Sequence, residues 1–446
     1  MNPLTSPLLT DLYQLTMLQG YIDRGMHEEA VFEFYVRKLP GKRGFLMAAG
    51  VETLLAFLEG LQFSAAELQY LKETGRFSAG LIEYLSGFHF NGDVFALPEG
   101  TIFFENEPVI RIAAPMPAAQ LIETRLINIL HFEILIASKA ARCVLAAADR
   151  AALVDFGMRR AHGAEAGLLA ARATFIAGFA GTSTVLAEPL YGIPIFGTMA
   201  HSYIEAHENE LEGFLSFARA NPENTTLLID TYDVREGAGK AVEAAKRLAG
   251  EGIKVQAIRL DSGDLLELSK EVRRILDQAG FPEIRILASG NLDEYAIRDL
   301  LLKGAPIDGF GVGTKLDTSE DAPYLECAYK LMEYAGKPRF KKSRGKATIP
   351  GRKQVFRRYE GRTMVGDAIA LEGDDIAGVP LLVPVMVRGR RVSACCDLNE
   401  IASQAKKQME SLPPHLQNLE SRPAYPVEIS HSLLELRKKM EPEILD

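Results

Sequence analysis

The sequence predicts an α/β protein: an irregular (β/α) barrel preceded by an α/β sandwich domain and followed by a C-terminal lobe. Three observations point there. Short apolar runs starting at 227, 255, 284 and 307 recur 28, 29 and 23 residues apart, the length of a strand, a helix and two short loops. Between them Val242, Ala245 and Leu248, then Leu268, Val272, Ile275 and Leu276, fall on single helical faces. Each run ends in small or charged residues, as expected where the loops after parallel strands converge on one mouth. A doubly wound open sheet shares this local pattern, so that alternative stays open.

In chain order, residues 1–115 mix amphipathic helix, such as Leu54 to Leu61, with short strand-like runs at Asp93 to Leu97 and Thr101 to Phe104. Pro98-Glu99-Gly100 between those runs reads as a turn joining antiparallel strands, and Pro108 to Ile112 extends the pattern. Pro117 opens a long apolar helix at the start of the second segment, 116–330, which carries the barrel. The third segment, 331–446, loses the βα period and reads as a lobe of strands and helices packing on the first two.

Composition narrows the function classes. The 446 residues are 47% hydrophobic and 24% charged, close to the globular average, which excludes collagen-like, heptad-repeat and wholly disordered chains. A formal charge of -9 gives no overall attraction for nucleic acid or an anionic membrane, so neither is expected as a partner and any anion site must be local. The four cysteines form no CxxC pair, the N-terminus lacks the basic flank of a signal peptide, and the most apolar stretch, 126–148, contains His131, Glu133, Lys139 and Arg142. These features predict a cytoplasmic protein that does not span a membrane.

The polar clusters at the predicted strand ends are the candidate chemistry. Ser289-Gly290-Asn291 and Gly311-Val312-Gly313-Thr314 follow consecutive late strands, where bare backbone N–H groups can cradle a phosphate that a Cβ would hold off. There is no GxxxxGK[ST] and no GxGxxG after an early strand, which argues against a Walker-type nucleotide site and against NAD-type hydride chemistry. Asp230, Asp233, Asp261 and Asp264 supply hard oxygen ligands for Mg2+ or ribose hydroxyls, with helix capping as the plain alternative, especially at Asp264. His201, in Gly197-Thr198-Met199-Ala200-His201-Ser202, can accept a proton, a metal or a phosphoryl group. A metal site from His201, Glu205 and His207 is a weaker alternative, since no HExxH accompanies it. In Asp155-Phe156-Gly157-Met158-Arg159, Phe156 can stack on a planar ring and Arg159 can bind a carboxylate or phosphate.

Together these segments resemble the nicotinate phosphoribosyltransferases, of the type II phosphoribosyltransferase fold. The resemblance spans nearly the whole chain and rests on Thr10 to Gln14, Asp155 to Gly163, Gly181 to Thr184, Gly197 to Ser202, Ile229 to Asp233, Ile258 to Asp264, Gly311 to Leu316 and Gly345 to Lys353. It implies a ligase of NAD salvage that joins nicotinate to phosphoribosyl pyrophosphate, with Mg2+ present and ATP hydrolysed as co-substrate. It implies that His201 is the transiently phosphorylated histidine, and that Arg259 and Asp261 act with it as catalytic residues. Tyr13, Phe156, Arg159, Ser183, Thr198 and Arg259 would hold nicotinate, Tyr13 reaching in from a second subunit of a homodimer with shared active sites. Asp261, Ser289, Gly290, Gly311, Gly313 and Thr314 would hold the phosphoribosyl pyrophosphate. Asp230 and Asp233 are candidate Mg2+ ligands, and Arg37, Lys38 and Arg43 are candidates to neutralise the leaving pyrophosphate. Related nicotinamide-using enzymes carry an aspartate where this chain has Ser183. A neutral donor there suits the nicotinate carboxylate, which an aspartate would repel. Thr184 departs from the asparagine of many relatives. The rival reading, an RNA- or anion-binding protein, rests on residues 337–358, with ten Lys or Arg and no acid. Quinolinate phosphoribosyltransferase is the rival within the fold, and the histidine motif argues against it.

Overall fold

The run Glu-Ala-Val-Phe-Glu-Phe-Tyr-Val at 29–36, rich in aromatic and β-branched residues, forms an interior strand buried on both faces. This is seen in the computed structural model, which describes residues 4–341, 348–393, 396–420 and 424–443. The chain divides into two units, 1–138 with 324–446, and 139–323.

In the first unit, seven strands form a sheet in the order Lys337–Pro338, Cys327–Tyr334, Glu29–Val36, Pro108–Pro115, Asp93–Ala96, Val383–Val387 and Arg390–Arg391. All its pairings are antiparallel. The C-terminal segment thus supplies strands on both sides of the N-terminal ones. The apolar face packs Phe32, Phe34, Ile110 and Ile112 against helical residues including Leu54, Leu58, Ile129 and Ile134. Glu33, on the buried strand, is compensated by Lys353, Nζ to Oε2 2.8 Å. Burial holds the Lys353 ammonium below the usual lysine range even though Glu33 opposes the shift.

The expected hairpin across Pro98-Glu99-Gly100 does not form. Asp93–Ala96 pairs with Pro108–Pro115 and Val383–Val387, whereas Ile102–Phe103 pairs with Leu46–Met47 in a separate two-stranded ladder. The turn is diverted because Glu99 accepts hydrogen bonds from the N–H groups of Gly50 and Val51, and Gly100 N–H donates to Ala48 O. Helix formation after Pro115 proceeds as the sequence predicts, with a short break: Met116–Leu121, then Glu123–Ala147, whose last residues enter the second unit.

The basic segment is less available than its composition suggests. Arg352 pairs with Glu29 and Glu333, Lys353 with Glu33, Arg357 with Asp367 and Arg358 with Glu428. Residues 342–347, including part of the family-like stretch from Gly345, lie outside the described residues. Arg43 is buried, with a guanidinium N–H donating to Leu135 O 3.0 Å away, so it is a core residue of its unit and its role as a pyrophosphate cation is withdrawn. Among the described residues no helix is long and apolar enough to cross a membrane.

The second unit carries a six-stranded sheet, all parallel, in the order Gly181–Thr182, Ala152–Asp155, Gly309–Val312, Arg285–Ser289, Ala257–Leu260, Thr226–Leu228. The strands at 226, 257, 285 and 309 coincide with the four apolar runs read from the sequence. Helices Val234–Ala249, Leu265–Gln278 and Glu294–Leu302 follow the first three of these, capped in turn by Asp233, Asp264 and Asp293. Residues 194–198 hydrogen-bond to both edges of the sheet. Thr182 N–H donates to Pro194 O and Phe196 N–H to Thr182 O at one edge. At the other, Thr198 Oγ1 donates to Thr226 O, 2.8 Å, and Asn224 Nδ2 to Gly197 O, 3.4 Å.

Candidate active site

Parallel strands point their carboxyl ends the same way, so the residues at those ends are gathered by the sheet itself. At or just beyond them stand Phe156, Ser183, Asp230, Arg259, Asp261, Ser289, Gly290, Gly311 and Gly313. Below this rim is a cavity of about 250 Å³, and Phe156, Thr198, Arg259, Ser289 and Gly311 are among its lining residues.

Arg259 organises the rim. Its Nε donates to Ser289 Oγ at 2.7 Å and its Nη2 to Asp261 Oδ1 at 2.8 Å, and its guanidinium carbon lies 5.5 Å from the centre of the Phe156 ring. Ser289 Oγ also donates to Asp261 Oδ1. Burial works against the Asp261 charge, but the Ser289 hydroxyl, the Arg259 guanidinium and His201 hold its carboxyl below the usual aspartate range. Asp261 is therefore an anion in the resting site. Its backbone N–H donates to Asp230 Oδ2 at 2.9 Å, and Ser262 Oγ donates to the same oxygen. The His201 ring meets this network from the first position of the short helix His201–Glu205: Nε2 lies 3.8 Å from Asp261 Oδ2 and Nδ1 3.2 Å from Thr231 Oγ1. Its side chain is 39% exposed, enough to be reached by a phosphoryl donor.

Two glycines are required by space and conformation. A Cβ on Gly311 would lie 2.4 Å from Phe156 Cδ2, so only glycine leaves room for the ring against that strand. Gly290 has φ +95°, and a Cβ there would lie 2.2 Å from Asp261 O.

The remaining sequence candidates are distributed differently. Thr198 lines the cavity, but its hydroxyl is engaged by Thr226 O. Ser183 is half-buried next to the rim, its N–H donating to Asp155 O. Arg159 is exposed on the 3-10 turn Met158–Arg160 and is not among the lining residues. Thr314 is exposed at the start of the short helix Thr314–Asp317. Asp233 spends one carboxylate oxygen on the N–H groups of Arg235 and Glu236. Tyr13 belongs to the first unit, where it lies on helix Leu12–Asp23 with 46% of its surface exposed. Among the described residues no group of three His, Cys, Asp or Glu is placed to hold a metal, which also removes His201, Glu205 and His207 as a metal site. Sequence reading missed Thr231, although it lies inside a segment singled out above, and it missed Phe196, which lines the cavity, and Asp317.

Three family models cover most of the chain. Residues 8–131 match the nicotinate phosphoribosyltransferase N-terminal domain, 151–349 the nicotinate phosphoribosyltransferase family and 375–437 the corresponding C-terminal domain. A nicotinate phosphoribosyltransferase of Mycobacterium tuberculosis is 48% identical over 429 residues, covering 96% of this chain and 92% of that protein. The chain belongs to the nicotinate phosphoribosyltransferase family. The nicotinate phosphoribosyltransferase of Bacillus subtilis is 42% identical over 379 residues, covering 83% of this chain and 77% of its own. The crystal structure of human nicotinic acid phosphoribosyltransferase superposes with a TM-score of 0.87 at 27% identity, covering 97% of this chain and 99% of that one.

Proposed function

We propose that this enzyme transfers the phosphoribosyl group of phosphoribosyl pyrophosphate to the ring nitrogen of nicotinate, releasing pyrophosphate, in NAD salvage. ATP hydrolysed through a phosphohistidine drives the transfer. The observation that carries the reading is the Phe156–Arg259–Asp261–Ser289 constellation over a cavity sized for a small planar acid. Phe156 offers one face to the pyridine ring, and Arg259 the charge that a carboxylate needs. Ser183 and Thr198 border the ring site, and Arg159 joins them once substrate is bound. Gly290, Gly311 and Gly313 stand at the strand ends where the phosphoribosyl group would lie, although the space a Cβ would take at each is filled by Asp261 O, the Phe156 ring and Phe156 O rather than left open for a phosphate, with Thr314 beyond them.

Displacement at the anomeric carbon develops positive charge on the ribose while negative charge accumulates on the leaving pyrophosphate. Asp261, anionic and fixed by Arg259 and Ser289, holds the ribose side without having to reorganise. Mg2+ would enter with the pyrophosphate, whose charge it neutralises. Asp230 suits one ligand position, since its Oδ1 is buried without a hydrogen-bond partner, and a cation that takes one or two carboxylates plus substrate phosphates needs little more. Asp233, engaged as a helix cap, is the weaker ligand.

His201 stands where a phosphoryl group on Nε2 would face the Asp261 carboxylate, so phosphorylation alters the charge balance of the rim directly. The bonds from 194–198 to both sheet edges support reading the sheet as an irregular barrel. The segments 1–115, 116–330 and 331–446 are then proposed as sandwich, barrel and lobe, the lobe lending strands to the sandwich sheet. The exposed Leu12 and Tyr13 support a homodimer in which Tyr13 covers the partner's nicotinate site. The free thiols at Cys143, Cys327 and Cys396 suit a cytoplasmic location. The test is His201→Ala. It should abolish ATP-stimulated turnover and keep slow ATP-independent transfer, and unchanged stimulation would remove the phosphohistidine from the mechanism.

A further inference from the structure

Two aspartates lie under the Phe156 turn, and among the described residues no cation acts on either carboxyl. Asp155 and Asp317 are 0% and 1% exposed. Asp155 ends the strand Ala152–Asp155. Its Oδ1 accepts from Gly157 N–H and its Oδ2 from Thr182 Oγ1, both at 2.7 Å. The Asp317 carboxyl lies against the other side of the same glycine, since a Cβ on Gly157 would sit 2.1 Å from Asp317 Cγ. Neither Asp317 oxygen receives a hydrogen bond from any N–H or hydroxyl among the described residues. Two bare carboxylates cannot share such a site, and a proton between them is what satisfies both. The hydrogen bonds are lopsided: Asp155 takes two donors and Asp317 none, so the charge rests on Asp155 and the proton on Asp317. Burial, reinforced by the neighbouring Asp155 charge, accordingly raises the Asp317 carboxyl well above the usual aspartate range.

The pair joins pieces that the reaction needs together. Phe156 and Gly157 follow Asp155 directly, and Phe156 N–H donates to Val312 O. Ser183 N–H donates to Asp155 O, and Asp317 N–H donates to Gly313 O in the turn after the last strand. The elements packed around the pair carry few other ions. Arg159 and Arg160 on the 3-10 turn are exposed. Lys315, on the Asp317 helix, is held by Asp293 and Glu320. Helix Ala164–Ala177 carries Glu165 and Arg172, and the strands at 152, 181 and 309 bring no further charge.

We propose that Asp317 is a positioning residue: a proton shared between its carboxyl and that of Asp155 pins the Phe156 turn to the Gly313 turn and so holds the nicotinate platform in place. The proposal rests on the reading of Phe156 as that platform. When the proton is lost as the pH rises, the two carboxylates repel and the platform shifts. The nicotinate kcat/KM should then fall, by up to about 100-fold for a displacement approaching 1 Å, with most of the loss in KM. In Asp317→Asn the carboxamide donates to Asp155 at every pH, so the rise in KM should vanish. Thr182→Val removes a donor from Asp155; while the pair shares its proton that proton still bridges the Asp155 charge, and once it is lost nothing replaces the Thr182 hydroxyl, so the rise should move to higher pH.

The experiment measures nicotinate KM and kcat as a function of pH for wild type, D317N and T182V, with thermal unfolding over the same range. A KM limb rising with pH in wild type that D317N lacks and T182V displaces upward supports the shared proton. The same limb in D317N, or a limb that T182V leaves in place or lowers, overturns it. Should D317N not fold, T182V alone still decides. Phe156→Ala separates the two readings: a KM unmoved by F156A removes the platform. A pH dependence of unfolding that D317N abolishes would keep the shared proton, and one that D317N leaves intact would remove it.

Discussion

Gly311→Ala probes the site through a single methyl group. The added Cβ would lie 2.4 Å from Phe156 Cδ2 and 2.6 Å from Cε2, against about 3.5–4.0 Å for ordinary carbon contacts. The strand is buried and paired on both sides, so the ring must yield, by about 1 Å. Moving a positioning group that far costs about 100-fold in rate, or about 2.7 kcal/mol of transition-state stabilisation. Overpacking adds about 1–3 kcal/mol of lost stability. Initial rates with nicotinate varied at saturating phosphoribosyl pyrophosphate read the first effect, and denaturant unfolding the second. The loss should fall on kcat/KM for nicotinate. A folded G311A enzyme with kcat/KM within about twofold of wild type would refute Phe156 as the ring platform.

Two further expectations concern stability. Arg357 and Asp367 form a bidentate pair with both side chains 0% exposed, so Arg357→Ala strands a buried carboxylate and should cost about 3–5 kcal/mol in urea unfolding. Replacing both partners by apolar residues should cost much less, and equal losses for the single and double variants would contradict the argument. Asp317, whose folded-state pKa is raised, contributes stability that is full below the unfolded aspartate value of about 4 and is lost as pH rises toward the folded value. In that window wild type should lose about 1.4 kcal/mol per pH unit from this proton, a slope that D317N should lack; parallel slopes would contradict it.

Much of the second unit was legible because its information is local. A parallel strand buried on both faces is a short apolar run, its following helix shows a 3.6-residue period, and the sheet then collects the strand ends. Arg259, Asp261 and Ser289 could be grouped on that logic alone. What could not be read was pairing between distant segments. Cys327–Tyr334 enters the N-terminal sheet beside Glu29–Val36, and nothing in the period of either run announces it. The Pro98 turn looked like a hairpin because its composition was right. The Glu99 bonds to Gly50 and Val51 that divert it are tertiary. Asp155 and Asp317 are remote in sequence and meet only because the strands ending at 155 and 312 are neighbours. Asp233 and Asp230 show the opposite difficulty, one residue type serving as cap and as site acid within four positions.

The most direct test of the account is product formation from labelled nicotinate or nicotinamide with phosphoribosyl pyrophosphate and Mg2+, each with and without ATP. Nicotinate mononucleotide formed from the acid alone, and faster with ATP, is the predicted result. Product from the amide in preference to the acid, or transfer indifferent to ATP, would contradict it.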